Sequence, residues 1–67
     1  LLLGAAGILG ERGQALSAVG PDAGEVFVHG EYWQARSALP IAAGARVRVR
    51  ALKGLVLTVE SDPPAEG

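Results

Sequence analysis

From Gln14 onward, apolar and polar side chains alternate along the chain, the spacing of strands that bury one face. "QALSAV" (14–19) predicts a first strand of mostly small residues. It is ended by "GPDAG" (20–24), where Gly20, Pro21, Asp22 and Gly24 are all turn formers. "EVFVH" (25–29) follows, with Val26 and Val28 on one face and Phe27 and His29 on the other. Gly30-Glu31 fits a two-residue hairpin loop with glycine first, so the chain is expected to return through "YWQARS" (32–37). That register sets Val28 opposite Trp33 and Val26 opposite Ala35 inside. Outside, Phe27 faces Gln34, His29 faces Tyr32, and Glu25 can pair with Arg36, leaving Phe27 and Tyr32 as diagonal neighbours.

"ALPIAAG" (38–44) breaks the alternation, because Pro40 cannot donate to a ladder and Gly44 ends the segment. It reads as a connector with room for one short helical turn. "ARVRVRA" (45–51) is the cleanest strand, with Val47 and Val49 in and Arg46, Arg48 and Arg50 out. Lys53-Gly54 then turns the chain into "LVLTVE" (55–60), whose Leu55, Leu57 and Val59 are expected to face the same core. Five short strands with one longer connector between the third and fourth predict an all-β fold, a small five-stranded barrel of OB type. Closure removes the edges that an open sheet of this size leaves exposed.

The barrel is assigned to residues 13–60, between a lead-in or linker (1–12) and a polar, proline-rich tail (61–67) expected to be disordered. The apolar opening "LLLGAAGIL" is shorter than the about 20 apolar residues of a spanning helix and lacks a basic leader. It reads as an irregular lead-in, the alternative being the end of a transmembrane helix. Gly4, Gly7, Gly10 and Gly13 recur at every third position but match neither a dinucleotide fingerprint nor a phosphate loop. They are read as backbone flexibility ahead of the first strand.

At 67 residues the chain has room for one domain, which buries only about 60% of its unfolded surface. Its large apolar residues, Leu16, Val26, Val28, Trp33, Ile41, Val47, Val49, Leu55, Leu57 and Val59, must supply most of the burial, with Ala35 completing the inner wall of the third strand. Six basic against seven acidic side chains give no global field that would attract nucleic acid or an anionic membrane. Cysteine is absent, which excludes disulfides and thiolate metal sites. The chain neither begins with methionine nor contains one, as expected of a piece of a longer protein.

In order and spacing, several features resemble the C-terminal soluble domain of the NfeD family. These are Gly10 and Gly13, Gly24-Glu25-Val26, Gly30-Glu31 with Trp33 and Ala35, Ile41 with Gly44, and Val47-Arg48-Val49 through Gly54-Leu55-Leu57-Val59. The resemblance spans roughly residues 7–60. It implies a five-stranded OB barrel carried at the end of transmembrane helices in proteins encoded beside stomatin- and flotillin-like partners. A membrane-tethered soluble domain is therefore expected, with the cytoplasmic side favoured. Longer members of the family add a serine protease domain far upstream.

The residues of this chain carry no such chemistry. Its one histidine, His29, sits at a hairpin end, while Asp22 and Asp62 fall in separate turn or tail segments, so no serine nucleophile has a base and orienting acid in sequence reach. Lys53 reads as a solvated turn residue, and one histidine without cysteines or clustered acids makes no metal site. The expectation is a non-catalytic interaction module with no cofactor, no metal and no small-molecule substrate. Every aromatic residue lies in 25–37, and the candidate protein-binding residues are Phe27, Tyr32, Gln34 and His29. The alternative is nucleic-acid binding, with Arg46, Arg48 and Arg50 as a phosphate stripe and the aromatics as stacking platforms. Near-zero net charge sets that reading second.

Overall fold

The computed structural model describes residues 7–62. Five strands, β1 (Arg12–Ala15), β2 (Glu25–Val28), β3 (Glu31–Arg36), β4 (Arg46–Lys53) and β5 (Val56–Ser61), close into a barrel in the order β1-β2-β3-β5-β4. β1 pairs with β4 to complete the ring, and every neighbour pair is antiparallel except β3 with β5. A parallel pair needs a crossover. Here the connector after β3 leads into β4, and the β4–β5 hairpin returns β5 beside β3. This is the all-β, five-stranded OB-type barrel that the alternation predicts.

Inside the barrel, Val26 and Val28 of β2, Ala35 of β3, Val47 and Val49 of β4 and Leu57 and Val59 of β5 are buried as expected. Ala15, Val19, Ile41 and Ile8 complete the core. Ile8 belongs to the lead-in, which is stitched to the wall: the Gly10 amide donates to the Val49 carbonyl and the Val49 amide to that of Glu11. β1 begins at Arg12 and stops at Ala15, short of the expected Val19. Val19 instead makes an isolated bridge to Ile41, and this pins the connector across the barrel without a helical turn.

Three expected core residues are displaced. Leu55 is 82% exposed because the β4–β5 turn is Gly54-Leu55, one residue later than Lys53-Gly54, and Lys53 pairs with Val56. Leu16 is exposed because β1 has already ended. Trp33 is only half-buried and packs against the core from its margin, where it stands opposite Val26. At the other end, the expected tail gives up its first two residues to the barrel. Ser61 ends β5, and the Asp62 amide donates to the Arg46 carbonyl. The remainder of the tail assignment (63–67) and the first six residues of the lead-in (1–6) lie outside the described residues.

The β2–β3 hairpin also differs from expectation. Its loop is His29-Gly30, with φ of 59° and 79°, so Val28 stands opposite Glu31 and Phe27 opposite Tyr32. Positive φ at both central positions is the twist-compatible hairpin turn, and histidine is one of the few residues that enters the left-handed region at modest cost. Moving the turn slides the register by two positions, which keeps every side chain on its expected face. Gly13, read as a point of flexibility, is a point of close approach. It pairs with Val28 on one side and Val47 on the other, and a Cβ there would overlap the Val28 side chain and lie 2.5 Å from the Phe27 carbonyl oxygen.

Candidate functional site

Because Val26 and Val28 point into the barrel, Phe27 between them must point out. Tyr32 comes out of β3 directly across from it, and the two rings meet at 5.1 Å between centroids with planes tilted by 59°. The expected diagonal relation is thus a cross-strand pair. Phe27 is 37% and Tyr32 71% exposed. On the next rung Gln34 faces Glu25 and is exposed, and the exposed His29 sits in the turn beyond the pair. The structure therefore gathers Phe27, Tyr32 and Gln34 on one wall, with His29 at its end.

Leu55 joins this surface, which the sequence had hidden by assigning it to the core. With Glu25, Glu31, Tyr32, Trp33 and Gln34 it lines a groove of about 290 Å³. The signal that could have found it is the glycine-first pair Gly54-Leu55, a hairpin loop as plausible by composition as Lys53-Gly54. The two acids were likewise missed. Glu25 was matched with Arg36, but the register places it opposite Gln34, and the ion pairs among the described residues are Arg12–Asp62 and Arg50–Glu60.

The arginine stripe occupies another wall and is interleaved with acids. Arg48 has Arg12 opposite it on β1 and Glu60 opposite it on β5, while Arg46 faces Gln14. A bulge between Val49 and Ala51 sets Arg50 out of the alternation, and its Nη1 donates to Glu60 Oε2 at 3.4 Å. Arg12 Nε and Asp62 Oδ2 form an ion pair at 3.1 Å. Arg46 and Arg50 are exposed, whereas Arg48 is half-buried with its Nε shielded from solvent and without a hydrogen-bond partner among the described residues. The exposed Arg50–Glu60 pair stabilises by no more than about 1 kcal/mol.

Among the described residues His29 makes no side-chain hydrogen bond or ion pair, and no group of three or more His, Cys, Asp or Glu could hold a metal ion. What the molecule offers is wall: exposed rings and a shallow groove on a closed barrel, the equipment of a binding module. The chain belongs to the NfeD family, since the family's NfeD-like C-terminal, partner-binding domain matches residues 5–60.

Solved relatives share the fold. The soluble domain of a membrane protein implicated in regulation of membrane protease activity from Corynebacterium glutamicum is 30% identical, with a TM-score of 0.81 over 87% of this chain and 97% of that one. The C-terminal domain of stomatin operon partner protein 1510-C from Pyrococcus horikoshii is 33% identical, with a TM-score of 0.81 over 92% and 98%. The soluble domain of the NfeD protein YuaF from Bacillus subtilis is 30% identical, with a TM-score of 0.73 over 84% and 75%. No curated protein matches the sequence. The family resemblance, the barrel and the role of an interaction module thus stand, and two of these relatives are soluble domains, the Corynebacterium one of a membrane protein. Among the described residues no helix is long and apolar enough to cross a membrane.

Proposed function

We propose that the outer wall of β2 and β3 is the surface through which this partner-binding domain holds a stomatin- or flotillin-like protein. Phe27 and Tyr32 would act as the anchors, with Gln34 and His29 at the rim. The observation that carries this reading is the exposed ring pair, since two of the chain's three aromatics face solvent on a barrel with little apolar material to spare. Binding energy concentrates in aromatic anchors of this kind, and clustered exposed apolar surface marks interaction sites. The name of the Pyrococcus relative, a stomatin operon partner, supports the choice of partner class. In this reading the domain is non-catalytic and is held at a membrane by sequence outside residues 7–62. Any protease activity would lie in a separate domain.

The test is to titrate the isotope-labelled domain with a stomatin-like protein and follow its amide resonances. The reading expects the largest changes at Phe27, Tyr32 and Gln34. Changes confined to the arginine wall, or to the connector around Leu39, would place the interface elsewhere.

A further inference from the structure

In the closed barrel the β3–β5 ladder stops short of Tyr32. The Ala35 amide donates to the Gly24 carbonyl, which turns the backbone groups of Ala35 toward β2. Backbone groups along a strand point to alternate sides, so those of Trp33 and Glu31 also turn to β2, and those of Tyr32, Gln34 and Arg36 turn the other way. On that other side the parallel ladder with β5 starts only at Gln34 and Val56. The peptide N–H and C=O of Tyr32 lie one step ahead of that ladder, and Tyr32 and Leu55 both line the groove. A hydrogen-bonding edge thus opens at the foot of the aromatic wall, bounded by the His29-Gly30 turn and by Leu55.

The charge at this edge has one sign. Glu25 and Glu31 both line the groove, and the ion pairs of the described residues engage neither. The nearest base along the rung, Lys53, is separated from Gln34 by Val56 of β5. A cation lying against the exposed Tyr32 ring would meet the ring's negative face and, on the same outer face, the Glu25 carboxylate, with Glu31 at the groove's other side.

We propose that this edge receives an extended segment of the protein partner as a short added strand. Its backbone bonds to the N–H and C=O of Tyr32, and it carries a lysine or arginine toward Glu25 and Glu31, with an apolar neighbour on Leu55. Main-chain bonds supply the docking and alternate side chains the selectivity, the usual division in strand addition. The inference rests on the aromatic wall being the interface and adds the conformation and charge of what binds there.

The probe is a capped peptide of alternating valine and lysine, titrated into the isotope-labelled domain alongside a valine–glutamate peptide. Amide shifts at Tyr32, Gln34 and Leu55 with the lysine peptide, and weaker binding of the glutamate peptide, are expected. N-methylating one alternate set of the peptide's amides should abolish binding, and N-methylating the other set should leave it intact. Glu25→Gln with Glu31→Gln should lower affinity about fivefold, the size expected for two exposed charge contacts. Absence of binding, or binding indifferent to both methylation patterns, overturns the added strand. If Phe27→Ser with Tyr32→Ser abolishes partner binding while the peptide fails these tests, the wall is the interface and the strand slot is wrong. If the peptide behaves as expected but the partner ignores that double variant, the wall reading has failed, and with it this edge as the partner's site.

Discussion

Gly13 and Val28 stand opposite each other on β1 and β2 with no space between them for a methyl group. The contact sets how closely β1 enters the barrel, so what reads in sequence as a flexible glycine is a packing requirement. Gly13→Ala must push against both the Val28 side chain and the Phe27 carbonyl, and overpacking of this kind costs about 1–3 kcal/mol. A thermal melt should fall by roughly 5–20 °C for a domain of this size. An unchanged melt would mean that β1 can move outward without loss.

The Trp33 indole carries a buried Nε1 with no hydrogen-bond partner among the described residues. Leaving such a donor unmet costs about 1–3 kcal/mol, which offsets much of what the ring gains by half-burial. Trp33→Phe is therefore expected to change stability by less than about 1 kcal/mol, whereas Leu57→Ala, at the largest fully buried side chain, should cost about 2–5 kcal/mol. Chemical denaturation of both variants checks the order. A larger loss at Trp33→Phe than at Leu57→Ala would contradict the placement of Trp33 at the core's margin.

His29 is the test of the hairpin. Its φ of 59° ahead of Gly30 makes it a turn residue, and asparagine is the favoured residue before glycine in this turn. His29→Asn should hold or slightly raise the melting temperature. His29→Val, which places a β-branched side chain at positive φ, should lower stability by about 1 kcal/mol or more. Equal melts for the two variants would return the turn to Gly30-Glu31.

These positions show where the sequence was legible. Alternation is a property of faces, so Val26, Val28, Val47, Val49, Leu57 and Val59 could be placed inside, and Phe27 and Tyr32 outside, without knowing the turns. Turn positions decide register. Gly30 and Gly54 each fit either central position of a two-residue loop, so composition does not choose between them, and in both hairpins the turn sits one residue away from the expected one. For β2–β3 the error preserved faces; for β4–β5 it put Leu55 in the core. Glu25 and Glu31 became part of the candidate site only once the register was known, because nothing in their spacing marks them.

The arginine wall yields a negative prediction. Glu60 and Asp62 are paired with Arg50 and Arg12, which leaves Arg46 and the half-buried Arg48 as the wall's surplus charge, too few for a strong phosphate track on a chain of near-zero net charge. Single-stranded oligonucleotides should show no salt-sensitive binding, and Arg48→Gln should leave partner affinity nearly unchanged. Oligonucleotide affinity falling with salt at a log–log slope of about −0.7 per phosphate contact would make the stripe a nucleic-acid surface.

The central claim is that the Phe27–Tyr32 wall holds the protein partner, and its most direct test is the affinity of the Phe27→Ser, Tyr32→Ser double variant for a stomatin-like protein, measured by calorimetry beside a melting curve. Loss of the ring–ring contact should cost the fold about 0.5–1.5 kcal/mol, and the covered part of Phe27 adds to that, so the melting curve is read beside the binding. Binding should weaken by about 2 kcal/mol or more, roughly 30-fold in Kd. An intact fold that binds the partner as tightly as the parent chain would contradict the claim.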